Sequence, residues 1–184
     1  MNKSTAIYAE QLFEIARRAN RLEELREELN SIILAIEEQP KFIELLIAPS
    51  LDKEAKKELI ISTFSEENSK IIVDFLKTLV EEERIENLVE IGKMYRVKVS
   101  QYLEDHFGIV EGTVYSAVPL NEEQLKTLVY IFTKKVGKTV RLNAEIDESL
   151  IAGYKVNVGN MVYDSTIKLQ LKQLKESLMS VDLG

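Results

Sequence analysis

One string in the chain has the residue types of a phosphate-binding loop, Gly137-Lys138-Thr139. Such a loop needs Gly-x-x-x-x-Gly-Lys-(Ser/Thr) between a strand and a helix, so that backbone N–H groups converge on phosphate. Phe132 stands where the first glycine is required, a helical pattern precedes the string, and a strand pattern follows it. With the order reversed, Gly137 reads as a helix C-cap glycine beside a terminal lysine. His106 is the only histidine and there is no cysteine. That inventory excludes two-histidine metal sites, thiolate ligands, disulfides and cysteine nucleophiles. It also excludes zinc deaminase or zinc hydrolase chemistry, leaves His106 as a polar residue at a hinge, and is compatible with a reducing compartment. Ser116 has no Gly-x-Ser-x-Gly elbow around it, and only one remote histidine to serve as a base. Glu81-Glu82-Glu83 supplies neighbouring carboxylates, but a charge run at a helix end is a solvated face unless an apolar pocket splits the pKa values. Carboxylates are plentiful, yet no Asp-x-Asp-x-Asp loop followed by glycine offers a calcium site. The reading is therefore of a protein without catalytic residues, metal or cofactor.

The elements that carry these residues fall into two textures. Over the first hundred residues the apolar spacing is helical. Ser4 suits the N-cap of a first helix carrying Ile7, Tyr8, Leu12, Phe13, Ile15 and Ala16. Further helices are expected at about 21–38, from Pro40, at about 52–64, at 69–83 and at 86–105. From Gly108 the texture turns to β. Ile109 to Val118 places Val110, Gly112, Val114, Ser116 and Val118 on one face, and Asn121 caps a helix running to Gly137. Residues 139–146 alternate Val140, Leu142, Ala144 and Ile146, a half-buried strand. Gly153–Val158 and Met161–Tyr163 form a hairpin around Gly159-Asn160, and a last helix is expected over about 165–181. The expected fold is mainly α: a six-helix bundle over 1–105 and a small α/β domain over 106–184.

Charge follows the same division. Residues 1–105 hold 15 Lys and Arg against 22 Asp and Glu, while residues 106–184 hold nine of each. An acidic half argues against nucleic acid as a partner. Apolar residues make up 45% of the 184, enough for a core. The runs stop far short of the ~20 needed to span a bilayer, and the amino terminus lacks the apolar core of a signal peptide. A soluble chain that stays where it is made is expected.

Two helices carry more apolar surface than one stripe needs. The first spreads Ile7, Tyr8, Ala9, Leu12, Phe13, Ile15 and Ala16 around its wheel, and the fifth spreads Ile71, Ile72, Val73, Phe75, Leu76, Leu79 and Val80. Either they are central and surrounded, or they form a groove for an amphipathic helix of a partner.

Several strings together resemble one family. They are Tyr8-Ala9 through Leu12 to Ala16, Arg84-Ile85 with Leu88, Ile91 and Tyr95, and Gly108-Ile109-Val110 through Val114-Tyr115-Ser116-Ala117-Val118-Pro119-Leu120. Val140, Leu142, Ile146-Asp147, Leu150 to Gly153 and Gly159 to Asp164 follow in order. The chain resembles the delta subunit family of F-type ATP synthase, equivalent to the mitochondrial oligomycin-sensitivity-conferring protein, over nearly its whole length. Ala152, Asn160 and Ser165 depart from its turn residues. The resemblance implies a non-catalytic stator subunit on the cytoplasmic face of a bacterial plasma membrane, one copy per complex, held to the membrane only through that complex. It implies that the helical domain grips the amino-terminal helix of an alpha subunit through the first and fifth helices, with Tyr8, Gln11, Asp74 and Thr78 lining the contact. It also implies that the second domain binds the carboxy-terminal region of the b subunit.

Overall fold

The computed structural model describes residues 3–66 and 68–166. The helix expected over about 165–181 lies almost wholly outside them. The chain divides into two compact units, Met1–Gln101 and Tyr102–Gly184. It is mainly helical with one small mixed sheet.

The first unit is helical throughout its described residues, with α1 (Lys3–Arg18), α2 (Leu22–Glu38), α3 (Pro40–Ile47), α4 (Lys53–Phe64) and α5 (Lys70–Glu81). One 3₁₀ turn at Ile85–Asn87 leads into α6 (Leu88–Phe107), which runs unbroken through Gln101 and Tyr102. α1 is already helical at Lys3, so Ser4 lies inside its first turn instead of preceding it. Pro40 opens α3, where its missing N–H costs nothing. Asp52 caps α4 by accepting from the Ala55 N–H at 2.7 Å.

The N-terminus of α5 is held differently. Ser69 occupies the cap position without making a cap bond, and its Oγ is buried without a partner. A carboxylate from α2 takes over: Glu28 Oε2 accepts from the Ser69 N–H at 2.8 Å, while Oε1 meets Arg21 at 3.3 Å. α2 packs against α1, α3 and α5, and its buried Leu25, Leu29, Ile32, Ile33 and Ile36 recur at helical spacing. Tyr95 of α6 is wholly buried and donates its hydroxyl to the Leu22 carbonyl at 3.0 Å. Burial drives its hydroxyl pKa well above the ordinary phenol range.

The second unit holds β1 (Ile109–Ser116), α7 (Glu122–Val136), β2 (Thr139–Ile146), β3 (Tyr154–Val158) and β4 (Met161–Asp164). The sheet order is β2-β1-β3-β4, parallel between β1 and β2 and antiparallel elsewhere. Asn121 and Gln124 close a reciprocal capping box at the start of α7, and Gly137 ends it with φ at 72°. The core face joins Val110, Val114, Val140, Val156 and Val158 to Leu128 and Phe132 of α7.

The expected burial of β2 holds for only half its length. Val140 is buried and Leu142 half-buried, whereas Ala144 is exposed and Ile146 is 57% exposed. β2 is a terminal strand of the sheet, and the α7 side chains that join the core cluster meet its Val140 end.

Candidate functional site

The residues with chemical potential are occupied by the fold. The Gly137 N–H closes α7 onto the Thr133 carbonyl, Lys138 Nζ pairs with Glu104 at 2.8 Å, and the Thr139 N–H donates to Gly108. No backbone donors converge there, so the phosphate-loop alternative has no geometry. Ser116 Oγ donates to the Val118 carbonyl at 2.8 Å. The exposed His106 ring stacks on Tyr102 at 4.0 Å. Among the described residues, no three His, Asp or Glu side chains gather as metal ligands. In the Glu81–Glu83 run, the hydrogen bond and charge of Lys57 hold the Glu81 carboxyl below its usual range. Lys53 meets Glu83 at 3.2 Å and the Glu81 carbonyl at 2.7 Å. This run ties α4 to the end of α5.

The two helices with surplus apolar surface turn out differently. On α5, Ile72, Val73, Phe75, Leu76, Leu79 and Val80 are all buried, at 0 to 7% exposure, and only Ile71 is half-buried. Its broad apolar arc is therefore consumed by neighbours within the fold. What α5 presents outward is polar. Asp74 is exposed and pairs with Lys77 at 2.8 Å, and Thr78, one turn on, donates its hydroxyl to the Asp74 carbonyl at 2.9 Å.

On α1 a buried arc of Thr5, Ala9, Leu12, Phe13 and Ala16 faces the core. Opposite it, Ile7 is 56% and Ile15 48% exposed, with exposed Gln11 between them at helical spacing and half-buried Tyr8 beside them. Leaving these half-covered isoleucines on the side away from the core forgoes roughly half of a full burial, about 1 kcal/mol each. Lys98 of α6 fixes the rotation of α1: its ammonium meets Glu10 at 2.5 Å and lies 5.9 Å from the Phe13 ring.

The structure thus brings Tyr8 and Gln11 together on the outer side of α1, and Asp74 with Thr78 on that of α5; α2 packs against both helices. Sequence pattern does not single out Lys98 and Glu28, which set the rotation of α1 and the start of α5. Both act on residues tens of positions away, and no local pattern signals them.

Known proteins share both the sequence pattern and the fold. Residues 5–178 match the family described as ATP synthase delta (OSCP) subunit. A protein named ATP synthase subunit delta from Geobacillus sp. (strain WCH70) is 35% identical over 94% of both chains. One of the same name from Syntrophomonas wolfei is 32% identical over the full length of both. A chain from the cryo-EM structure of the Toxoplasma gondii mitochondrial ATP synthase hexamer shares the fold with a TM-score of 0.67, at 19% identity, over 97% of this chain and 98% of that one.

Proposed function

This chain belongs to the ATP synthase delta (OSCP) subunit family, and from that premise we propose that it is a stator joint which grips the catalytic head through the outer face of α1. α1–α6 act as a six-helix bundle, and its partner is the amino-terminal helix of an alpha subunit. The α/β unit binds the carboxy-terminal region of the b subunit. The chain sits in one copy on the cytoplasmic face of a bacterial plasma membrane, and contacts the membrane only through the complex. No helix of the described residues is long and apolar enough to cross a bilayer.

The mechanical task selects the kind of contact. Torque from the central shaft must not carry the head round, so the joint needs slow dissociation. Buried apolar helix contacts supply that, whereas exposed charge pairs contribute only about 0–1 kcal/mol each and are screened. The observation that carries the reading is the exposed pair Ile7 and Ile15 on the side of α1 opposite the core, with exposed Gln11 between them. An amphipathic partner helix laid along it buries both isoleucines and the free part of Tyr8, while Gln11 supplies directional hydrogen bonding. α5 contributes Asp74 and Thr78 as a polar rim with Ile71 at its edge, not the apolar half of a slot.

Titration of the full chain with an alpha-subunit amino-terminal peptide tests this. Tyr8→Ala is expected to weaken binding by about 1–2 kcal/mol, the range of a buried aromatic anchor, and Ile15→Asp to abolish it at the same peptide concentrations. Affinities equal to wild type in both variants remove the α1 face from the joint.

A further inference from the structure

α1 and α5 share a neighbour in α2, and one chain of polar contacts on α2 runs from the end of the first helix to the start of the other. It begins where α1 stops, with the Arg21 N–H bonded to the Ala16 carbonyl at 2.9 Å. Glu24 holds the Arg21 guanidinium by two bonds, at 2.6 and 2.5 Å. In that orientation Arg21 Nη2 meets Glu28 Oε1 at 3.3 Å, and Glu28 Oε2 accepts from the Ser69 N–H at 2.8 Å. Bidentate, charge-assisted contacts of this kind fix geometry as well as contributing energy. The Glu28 side chain is 16% exposed, so salt screens its bonds less than those of a surface pair. Local sequence supplies no such carboxylate at the start of α5. In a capping box the third helical residue reaches back to the N-cap N–H, as Gln124 does in α7. In α5 that residue is Ile72, apolar and wholly buried, and Ser69 makes no cap bond of its own. Glu28 fills the role from another helix, 41 residues away in the chain, and its charge lies at the positive end of the α5 dipole. The far end of α5 is tied to α4 instead, by Lys53 on the Glu81 carbonyl at 2.7 Å.

We propose that Glu28 is a positioning residue of the joint: by fixing the start of α5 on α2, it holds Asp74 and Thr78 in place relative to Tyr8 and Gln11 of α1 and so sets the affinity for the partner helix. The inference rests on the α1 reading above and adds that the two helices are held as one surface. Glu28 acts through α5 and not by contact with the partner. Its removal therefore takes away what Asp74 and Thr78 contribute and leaves the contribution of Tyr8 intact.

A double-mutant cycle on the full chain, titrated with the alpha-subunit amino-terminal peptide, separates this from a general loss of stability. Asp74→Ala with Thr78→Ala is expected to weaken binding about fivefold in the wild-type background. In Glu28→Ala the same pair should cost less than about twofold, whereas Tyr8→Ala should cost the same factor in both backgrounds. Hydrogen exchange at the Ser69 amide should quicken at least about tenfold in Glu28→Ala. Glu28→Gln keeps an acceptor oxygen for Ser69 and should retain both the slow exchange and the full cost of the Asp74 and Thr78 substitutions. Where Glu28→Ala does not fold, Glu28→Asp, one methylene short of Ser69, gives the same comparison. An additive cycle overturns the proposal and leaves the α1 reading standing. So do Asp74 and Thr78 substitutions without cost in wild type, unchanged Ser69 exchange, or a Glu28→Gln chain as weak as Glu28→Ala. A wild-type chain that does not bind the peptide, or binds it without dependence on Tyr8 and Ile15, removes the joint itself and the role of Glu28 with it.

Discussion

Glu83 holds φ at 56°, a left-handed conformation unusual for a residue with a Cβ. The hydrogen bonds explain it: the Arg84 N–H reaches the Leu79 carbonyl at 2.7 Å and the Glu83 N–H reaches Val80 at 3.1 Å. That is the Schellman pattern, whose left-handed position is usually glycine. α1 ends the same way, with Arg21 bonded to Ala16, Asn20 to Arg17, and φ 55° at Asn20. Asparagine tolerates that backbone, and glutamate does so less readily. Replacing Glu83 by glycine relieves the strain but loosens the unfolded chain and gives up a weak contact to Lys53. The net expectation for Glu83→Gly is a gain of about 0.5–1 kcal/mol in urea unfolding, and a loss of stability would mean the Lys53 contact outweighs the backbone. The helix end expected at about residue 83 agrees with this stop, although the glycine that usually marks such an end is absent and glutamate stands there. At Gly137 the glycine itself marks the end of α7 in the sequence.

At the scale of elements, periodicity places the helices and strands of the described residues to within a few positions, but not which apolar arcs stay uncovered. α1 and α5 look alike on a wheel. The difference is that α5 lies among α2, α4 and the 3₁₀ turn, whereas α1 packs on α2 with its far side open. A wheel records the width of an arc, while burial depends on neighbours that join from distant sequence. β2 fails for the same reason, since alternation gives a face and only the strand order reveals an edge. Glycines inside elements separate by what their missing Cβ would strike. At Gly112, on an inner strand, a Cβ would collide with the Asn157 backbone carbonyl of β3 and lie 2.7 Å from Val158 Cγ2 and 3.0 Å from Leu142 Cδ2. At Gly92 of α6 it would meet the tip of Ile33, a flexible methyl. Gly112→Ala is therefore expected to cost about 1–3 kcal/mol, as overpacking against backbone does. Gly92→Ala should stay within about 1 kcal/mol of wild type, because alanine's helix preference offsets the displaced methyl. Denaturant midpoints of the two variants decide it; equal losses would show that Ile33 cannot move.

For the whole molecule, the change of unit at Gln101–Tyr102 falls inside an unbroken helix. No linker composition marks it, and the change of texture near Gly108 is the visible trace of it in the sequence. Both units carry carboxylates held below their ordinary range. In the first, Arg21 lowers Glu24 and Lys57 lowers Glu81. In the second, Asp147 is lowered by hydrogen bonds from Ser149, and Asp164 by those from Thr166. A carboxyl depressed in the folded state stabilises the fold above its unfolded pKa, and that contribution disappears as pH falls through the folded value. Arg21 and Lys57 are raised by the same partners, so their contribution fades only in strong base. Stability should accordingly stay level across neutral pH and decline below about pH 4. The two aspartates allow a test of cause. Each accepts a backbone N–H and a hydroxyl through Oδ1, at 2.9 and 2.6 Å for Asp147 and at 2.9 and 2.7 Å for Asp164. Asparagine can accept the same bonds without titrating. The Asp147→Asn, Asp164→Asn double variant should therefore remain folded at neutral pH and lose less stability than wild type between pH 5 and pH 3. Superimposable acid limbs for the two proteins would assign the acid response to the Arg21 and Lys57 pairs of the helical unit instead.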